Sequence, residues 1–566
     1  MMRFKKLVWL FILFWVIQDY ALKSDILWYT LSCVVLLSII WNIITYDYDY
    51  WENKGIFSPP ALPVVGHIAT VAALKEQGGV CFKRIYDEHK EKRYLGTHQF
   101  YQRTLVVCDP EIIKRMCVND FHHFTDRGFN FNKDTDPLAE SVLFLKGNEW
   151  RRLRAKISPI FSPNKLRGMF PLLENTANEF LIRVKKLAKS GTEDNNNNIV
   201  ATGKTDNNKD IKIDTGKTDE VKDLIKHFKA KDGIIVDSEK LVGGYTADAI
   251  VPCAFGLKSN VMDNAKDPFA VALHAFYEMS WFNIFEKTMR QFWPAFVLFF
   301  KIRIIPKKTH DFFYNIVTKV LKERSKGVQE KRGDFIDMMM ALQNEDCKTD
   351  LENDYKITDM IISANAFIIF LGGFETTSST LAFLFLELSA HPSVQRKLRD
   401  EIQQVMLGGF SYESLQELTY MEMVIQETLR LYPPFPTIQR MCTRDYTIPG
   451  TNSVVEKGTI VLFPTLGVQR DEQYFENASE FVPERWAEGR SPPPPGVYMP
   501  FGDGPRYCIG KRFAIIQMKC CLARLLPHVV IKPLKDAGPR LGPFEADPLC
   551  PMTLHPADSR VIISLL

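Results

Sequence analysis

One short segment, residues 501–510 with the sequence FGDGPRYCIG, constrains the fold of this chain more than any other part. Its glycines and its proline predict a tight, irregular loop that brings the backbone close to a flat ligand. Cys508 precedes an apolar helix that is predicted to run to about Leu526, and the helix dipole and the nearby Arg506 are expected to lower the pKa of its thiol. A lone cysteine in such a place is usually a small core residue. The five fixed positions of F-x-x-G-x-R-x-C-x-G, however, arise by chance in about one in 10⁴ chains of this length, which favours Cys508 as a ligand residue.

The composition is that of a globular protein. The chain has 566 residues, of which 46% are hydrophobic and 24% charged, and this fits neither a disordered nor a collagen-like chain. Lys and Arg number 71 and Asp and Glu 67, and the formal net charge of +4 is too small to indicate nucleic-acid binding. The 11 cysteines include no CxxC pair and no cluster at zinc spacing, which argues against a disulfide framework and against a structural zinc site.

The N-terminal region predicts a transmembrane anchor at residues 26–46. This stretch carries no charge, lies between Asp25 and Asp47, and as a helix would extend about 31 Å, enough to cross a bilayer. A buried core helix is the alternative. Residues 1–25 form an extension of open role, because its apolar part fits a signal-like segment, an interfacial helix or an uncertain start codon. The acidic residues after the span leave its orientation open.

A proline-rich segment and a low-complexity insert define the predicted domain organisation. Three prolines, at positions 59, 60 and 63, predict that residues 47–66 form a stiff, extended hinge that uncouples the anchor from a globular domain over residues 67–566. A low-complexity insert at about residues 191–232 has too little apolar surface to offset its ordering entropy, so it is predicted to be a disordered surface loop.

The rest of the chain predicts a mainly helical fold with a small β region. Short strands are predicted at residues 103–108 and 459–463. One nearly all-apolar helix is predicted over residues 359–390, with Thr358 as its N-cap and the His391-Pro392 pair as its stop. Because a helix this apolar must be buried on most sides, we expect it to be the central element of the fold.

The 501–510 segment resembles the haem-binding loop of the cytochrome P450 family, the haem-thiolate monooxygenases. The resemblance implies the P450 fold and a haem b (heme) cofactor, with Cys508 as the axial thiolate on iron, which favours O–O cleavage. It also implies that Arg506 binds a haem propionate and that Phe501 packs on the proximal face, with Gly510 in the same loop. Within the family the chain is similar to the animal microsomal, drug-metabolising branch, on the strength of TDR at residues 125–127, SVLFLKG at 141–147 and CAFGL at 253–257.

A second motif, Glu427-x-x-Arg430, places two opposite charges on one helix face. By itself such a string indicates only a solvated ion pair. The resemblance implies instead a buried pair, joined by Arg485, that braces the haem loop and tolerates no loss of a partner. Thr419 with Glu422 predicts a capping box at the start of this helix.

Three more residues match the family's haem-propionate ligands. Trp150 and Arg154 lie one helical turn apart in the sequence WRRLR, and Arg440 follows a proline-rich segment. The alternative for the arginines is ordinary surface exposure.

The predicted central helix contains Gly372, Gly373, Glu375 and Thr376 near its middle. Two adjacent glycines cost about 1 kcal/mol each inside a helix. Close packing against another helix, with Thr376 bonding back to a carbonyl and bending the helix, would explain them. The resemblance implies in addition that they leave room for O2 and that Glu375 and Thr376 form an acid–alcohol pair that relays protons.

The resemblance implies a membrane-bound monooxygenase that inserts one atom of O2 into an apolar small molecule such as a xenobiotic, steroid or fatty acid. Electrons would come from NADPH through NADPH-cytochrome P450 reductase near Lys511 and Arg512, with cytochrome b5 as a second donor, at the endoplasmic reticulum membrane facing the cytosol. The alternative is a haem-thiolate isomerase or dehydratase acting on an oxygenated lipid without a reductase. Residues 549–555 lack the family's usual glycine-rich hairpin. The candidate pocket residues are Phe129, Phe131, Phe144, Phe370, Phe374, Phe435 and Ile438.

Overall fold

The computed structural model describes residues 25–45, 47–193, 229–230, 233–277, 299, 301, 303, 305–326, 332–346, 356–534, 543–550 and 552–566. Nearly all of the N-terminal extension and most of the predicted disordered insert therefore lie outside the described residues. Within the described part, helices dominate and the strands are short, as the sequence predicts.

The helices are α1 (Asp25–Ile44), α2 (Tyr50–Asn53), α3 (Ala69–Ala72), α4 (Gly78–His89), α5 (Pro110–Lys114), α6 (Gly147–Ile157), α7 (Pro163–Glu193), α8 (Ser238–Phe255), α9 (Pro268–Tyr277), α10 (Lys307–Ser325), α11 (Phe335–Asp346), α12 (Asp359–Ala390), α13 (Pro392–Val405), α14 (Tyr412–Glu417), α15 (Thr419–Leu431), α16 (Thr465–Gln469) and α17 (Lys511–Leu525). The strands are β1 (Tyr94–Gln99), β2 (Gln102–Val107), β3 (Lys229–Ala230), β4 (Gly233–Asp237), β5 (Ile438–Met441), β6 (Tyr446–Thr447), β7 (Val454–Val455), β8 (Ile460–Phe463), β9 (Val529–Lys532) and β10 (Arg560–Leu565).

The described strands form two small sheets and a hairpin. The first sheet has the order β1-β2-β8-β5, with β2 and β8 parallel and Thr104 opposite Ile460. The two strands predicted from the sequence are β2, which lies one residue earlier than predicted, and β8, which starts one residue later and ends where predicted. The second sheet, β3-β4-β10-β9, is antiparallel throughout and joins the C-terminal strand to β4, which leads directly into α8. β6 pairs with β7.

Helix α12 is the central element, as predicted. It runs over Asp359–Ala390, and the Thr358 side chain accepts a hydrogen bond from the Ile361 amide at its start. Residues Leu381–Leu388 are all buried, and the helix as a whole contacts α8, α10, α15 and α17. By length and composition α12 could also cross a membrane, but half of its most apolar window is buried inside the protein. Its apolar character is therefore explained by the core.

The start of α15 differs from the prediction. The N-cap position is Leu418, and no side chain of α15 caps the helix. The carboxylate of Glu401 on α13 instead accepts hydrogen bonds from the amides of Tyr420 (2.6 Å) and Met421 (2.9 Å). The predicted capping box is wrong because a carboxylate from a neighbouring helix takes its place.

The segment after α1 lies against the first sheet. Trp51 is buried, and its indole N–H donates to the Thr97 carbonyl at 3.0 Å. The Asp47 carboxylate accepts two hydrogen bonds from Arg103, at 2.6 and 2.7 Å. The first part of the predicted hinge is therefore fixed to β1 and β2, through an aromatic anchor and an ion pair that a proline count does not reveal.

Candidate active site

A cavity of about 1360 Å³ lies between the middle of α12 and the loop before α17. Its walls bring together residues that are far apart in the sequence. The sequence-predicted residues that line it are Phe129, Phe144, Trp150, Arg154, Phe374, Glu375, Thr376, Phe435, Ile438, Arg440, Phe501, Arg506, Cys508 and Gly510.

Two predicted pocket residues lie behind the walls. Phe131 packs its ring against Phe144, with the centroids 6.3 Å apart, and is not among the described residues that line the cavity. Phe370 is completely buried and packs on the rings of Phe255 and Phe313. Phe370 is thus a core residue of α12, because the helix turns its ring toward α8 and α10.

The loop that carries Cys508 is held by its own backbone. Gly504 has φ +69°, and a Cβ there would lie 1.8 Å from the Cys117 carbonyl oxygen, so only glycine fits. The Cys508 amide donates to the Phe501 carbonyl at 2.8 Å, and α17 starts three residues further on. The side chain of Cys508 is partly accessible and faces the cavity.

The electrostatics of Cys508 differ from the prediction. Burial raises the pKa of its thiol, while the Gly510 amide and the charges of Arg127 and Arg154 lower it less strongly. Arg506 is not among the main groups that lower it, because its guanidinium donates to the backbone carbonyls of Thr125, Val142 and Leu145, outside the 501–510 loop. Without a metal ion the thiol is therefore the preferred form, and a metal would have to stabilise the thiolate.

Arg506 is almost fully buried and organises the loop around it. Its guanidinium donates to the carbonyls of Thr125 (2.8 Å), Val142 (3.3 Å) and Leu145 (2.8 Å). It also lies over the Trp150 ring, 3.8 Å from the centroid. Arg506 and Trp150, which were each expected to bind a haem propionate, are thus in direct contact with each other.

Three further arginines meet Arg506 at the same wall of the cavity. Arg127 donates to the Arg506 carbonyl, and Arg154 donates to the Tyr507 carbonyl, both at 3.0 Å. Burial, and then the charge of Arg440, lower the pKa of Arg127 to about 9. The Nε–H of Arg440 is buried without a hydrogen-bond partner. Arg440 and Arg506 are buried and Arg127 and Arg154 partly so. Among the described residues Asp126, 3.8 Å from Arg506, is the one carboxylate that forms an ion pair with these four arginines, so the wall carries a surplus of positive charge.

Glu427 and Arg430 on α15 form a completely buried ion pair. Arg430 donates to both carboxylate oxygens, at 2.8 and 2.9 Å, and Arg485 adds a third charged hydrogen bond at 2.9 Å. Gln469 connects this cluster to the loop, since its amide N–H donates to the Arg430 carbonyl and its oxygen accepts from the Met499 amide. The cluster is thereby joined to the backbone two residues before the 501–510 loop.

On α12 the expected acid and alcohol are adjacent but engaged with different partners. The Thr376 hydroxyl donates to the Gly372 carbonyl at 2.7 Å, as the bent-helix alternative predicts. The Glu375 carboxylate accepts a hydrogen bond of 2.7 Å from Thr553. A Cβ on Gly373 would lie 2.8 Å from Ile250 on α8, whereas a Cβ on Gly372 meets no atom within 4 Å. One glycine therefore serves helix packing and the other leaves open space.

Comparison with known proteins identifies the family. The family model for cytochrome P450 matches residues 57–541. The chain belongs to the cytochrome P450 family. Cytochrome P450 6B2 of Helicoverpa armigera is 28% identical over 518 residues, which cover 90% of this chain and 93% of that protein. Cytochrome P450 6j1 of Blattella germanica is 30% identical over 88% of this chain and 90% of its own length. Cytochrome P450 6B1 of Papilio polyxenes is 28% identical over 92% and 96%.

Membership in the P450 family confirms three expectations from the sequence: the family itself, the class of monooxygenase oxidoreductase and the haem cofactor. The cavity of this P450 fits a haem. A sulfur atom faces the cavity from one wall, and the uncompensated arginines with the orphan Nε–H of Arg440 match a flat ligand that carries two carboxylates. The site thus has both the soft sulfur ligand and the positively charged side chains that a haem requires.

Sequence reasoning missed several residues of this P450 site. The sequence indicates Arg127 only as part of a family motif, although this residue lines the cavity. Thr553 and His555 lie in the C-terminal segment, where the sequence indicated only a missing hairpin, and Glu239 begins α8. No local pattern marks these residues, because the glutamates that Thr553 and His555 contact lie 178 or more positions away.

Proposed function

We propose that this protein is a membrane-bound P450 monooxygenase that inserts one atom of O2 into an apolar small molecule, with electrons from NADPH through a reductase. The observation that carries the proposal is the convergence of Cys508 and a surplus of buried arginines on one large cavity that also contains Glu375 and Thr376. A thiolate ligand and a proton-handling pair are both needed for oxygen insertion, whereas an isomerase needs only the thiolate.

The haem-binding roles follow from the donors at each wall. Cys508 would hold the iron, Phe501 and Gly510 would shape the wall on the same side as the cysteine, and Arg440 would bind a propionate through its unpaired Nε–H. Arg506 and Trp150 hold the loop that surrounds this site. When bound, the haem supplies the activation of O2; the protein residues orient it and exclude water.

The cavity also has room for a substrate. Ligand pockets usually enclose about 300–1,000 Å³, and this cavity of about 1360 Å³ exceeds that range. Phe129, Phe144, Phe374, Phe435 and Ile438 contribute aromatic and aliphatic walls. These walls favour an apolar substrate, bound by burial of its surface.

The electron donor is proposed to dock beside the Cys508 loop. Lys511 and Arg512 are both exposed at the start of α17, three and four residues after the cysteine. A reductase with an acidic face would be steered to such cations. Charge reversal at both positions should slow haem reduction by the reductase and leave reduction by dithionite unchanged. Lys457→Glu, at another exposed lysine, is the matched control.

Helix α1 is proposed to anchor the protein in the endoplasmic reticulum membrane with the catalytic domain in the cytosol. Val34, Leu36, Leu37 and Trp41 on this helix are each more than half exposed, and a bilayer would cover them. Deletion of residues 1–45 should move the protein from the membrane to the soluble fraction after cell fractionation. Membrane retention of the truncated protein would contradict this anchor.

The reaction is tested with isotopic oxygen. Purified protein with reductase, NADPH and ¹⁸O2 should give a product that contains one labelled oxygen atom, and reduced protein with CO should show the red-shifted Soret band of thiolate ligation. Cys508→Ala should lose both signals. Persistence of the band in this variant, or turnover of a lipid peroxide without NADPH in place of oxygen insertion, would refute the proposal.

Arg440→Gln tests the haem cradle separately. This change removes one of the buried cations that repel Arg127 and Arg506. The variant should release haem to a haem-scavenging protein faster than the wild type, while its folded state without haem is no less stable. A haem release rate equal to that of the wild type would remove Arg440 from the propionate site.

A further inference from the structure

The C-terminal segment places one buried histidine between two carboxylates at the cavity wall. The Nδ1 atom of His555 lies 2.6 Å from Oε1 of Glu239 on α8, and its Nε2 atom lies 3.7 Å from Oε1 of Glu375 on α12. Nε2 is also 3.1 Å from the Thr553 hydroxyl, which donates its own proton to Glu375 at 2.7 Å. All four side chains line the cavity.

This geometry fixes the protonation state of the imidazole. The carboxylate of Glu239 can only accept, so Nδ1 must donate to it. The Thr553 hydroxyl uses its proton toward Glu375, so it accepts from Nε2. A ring that donates from both nitrogens is an imidazolium. Burial lowers the pKa of His555, but the bonds and charges of Glu239 and Glu375 raise it to about 10, in agreement with the geometry.

We propose that His555 is a positioning residue for the monooxygenase reaction: as a cation between Glu239 and Glu375, it fixes the direction of the Glu375 carboxylate beside Thr376 and thereby governs proton delivery at the cavity wall. This inference rests on the proposed function. The charged groups that face the imidazole are Glu239 from α8 and Glu375 from α12. From its own segment the Asp547 amide bonds only to the His555 carbonyl.

A purely structural role for His555 is the main alternative, and the backbone contacts argue against it. The segment is tied down at Leu554 without the imidazole: the Leu554 amide donates to the Pro434 carbonyl at 2.9 Å, and the Ser379 hydroxyl donates to the Leu554 carbonyl. Leu554 is itself buried. Loss of the cation should therefore change Glu375 more than the position of the segment, because Glu375 would keep the Thr553 hydroxyl but lose the positive charge beside it.

The first test does not depend on turnover. In holoprotein labelled with ¹⁵N-histidine and kept in its diamagnetic carbonyl form, one imidazole should show both nitrogens protonated at pH 7 and should be half deprotonated only near pH 10. That signal should be missing in His555→Gln and should titrate at lower pH in Glu239→Gln. A His555 ring that is neutral at pH 7 would overturn the proposal.

The second test measures product formed per NADPH consumed. His555→Gln should lower this ratio several-fold while the carbonyl spectrum stays that of the wild type, and His555→Lys, which restores a cation, should recover part of the loss. His391→Gln is the matched control, because His391 also pairs with a glutamate, Glu387, but at the far end of α12. It should leave the ratio unchanged.

The two proposals fail in different ways. A wild-type ratio in both His555→Gln and Glu239→Gln, with normal spectra, would refute the role of His555 and leave the monooxygenase function intact. If the wild type forms no oxygenated product, the proposed function fails. The ¹⁵N titration then still shows whether His555 is a cation between Glu239 and Glu375. Should His555→Gln fold poorly, Glu239→Gln replaces it, because a third of the Glu239 side chain is exposed and its loss is less disruptive.

Discussion

Replacing Glu427 with glutamine should destabilise the protein strongly although the side chain keeps its shape. The carboxylate accepts five hydrogen bonds: two from Arg430 and one each from Arg485, the Trp486 indole and the Val482 amide. In the amide one of the two oxygens becomes an NH2 group, and in the less costly orientation it faces two donors, Nε of Arg430 and Nε1 of Trp486. Hydrogen bonds to a charged group contribute about 1.5–3 kcal/mol each, so two of them amount to about 3–6 kcal/mol. Breaking a buried ion pair costs about 3–5 kcal/mol. The two routes agree on a loss of about 3–5 kcal/mol.

Urea unfolding, followed through both haem absorbance and tryptophan fluorescence, measures this loss. Glu413→Gln is the control, since it breaks an ion pair with Arg167 that has a similar length of 2.6 Å but side chains 56% and 59% exposed. Exposed pairs contribute about 0–1 kcal/mol. If Glu427→Gln lost no more stability than Glu413→Gln, burial would not be what makes the cluster indispensable, and the reasoning would be refuted.

Two further predictions concern packing and charge. Gly373→Ala should lower the free energy of unfolding by about 1–3 kcal/mol, because the new Cβ overlaps the isoleucine opposite it on α8. In Gly372→Ala the new Cβ faces open space, so this variant should gain up to about 1 kcal/mol of stability from helix propensity. Equal thermal stability of the two variants would contradict this contrast. Burial raises the pKa of Asp47, but its interactions with His98 and Arg103 lower this pKa to about 2. The stabilising effect of the ionised Asp47 on the folded state is therefore fully present above the unfolded pKa of 3.8 and is lost as pH falls toward 2. Asp47→Asn should therefore be about 1–2 kcal/mol less stable than the wild type at neutral pH, after allowance for the partly exposed Arg103. The difference in melting temperature between the two proteins should narrow below pH 4. A difference in melting temperature that does not change with pH would exclude the ion pair as its cause.

The sequence predicted the elements whose signals are local. The bounds of α12 follow from Thr358 and the His391-Pro392 pair, and the structure places both ends at those residues. The 501–510 loop was likewise recognisable, because its glycines and its cysteine act within ten residues of one another. A local signal is reliable where the physical partner is also local.

The errors arose where a distant residue replaces a local partner. At the start of α15, Glu401 of another helix caps the amides that Thr419 and Glu422 were expected to satisfy. Phe370 lies one turn before Phe374 on α12, yet only Phe374 lines the cavity. Which face of an all-apolar helix meets a cavity depends on the packing of its neighbours, and periodicity does not contain that information.

The two groups of charge at the cavity differ in whether the protein completes them. Beside the cysteine loop, burial and the charge of Arg127 lower the pKa of Arg506 to about 8, and Arg440 keeps an unpaired N–H. At Glu375 the protein supplies its own cation, His555. A buried charge in excess of its counter-ions costs free energy that a bound ion of opposite charge returns. The four arginines have one carboxylate partner, Asp126, and therefore favour an anionic ligand, whereas the two glutamates share an internal cation. This difference supports the two proposed roles: the arginine wall as a binding site for carboxylates, and His555 as a cation that positions Glu375 before any ligand binds.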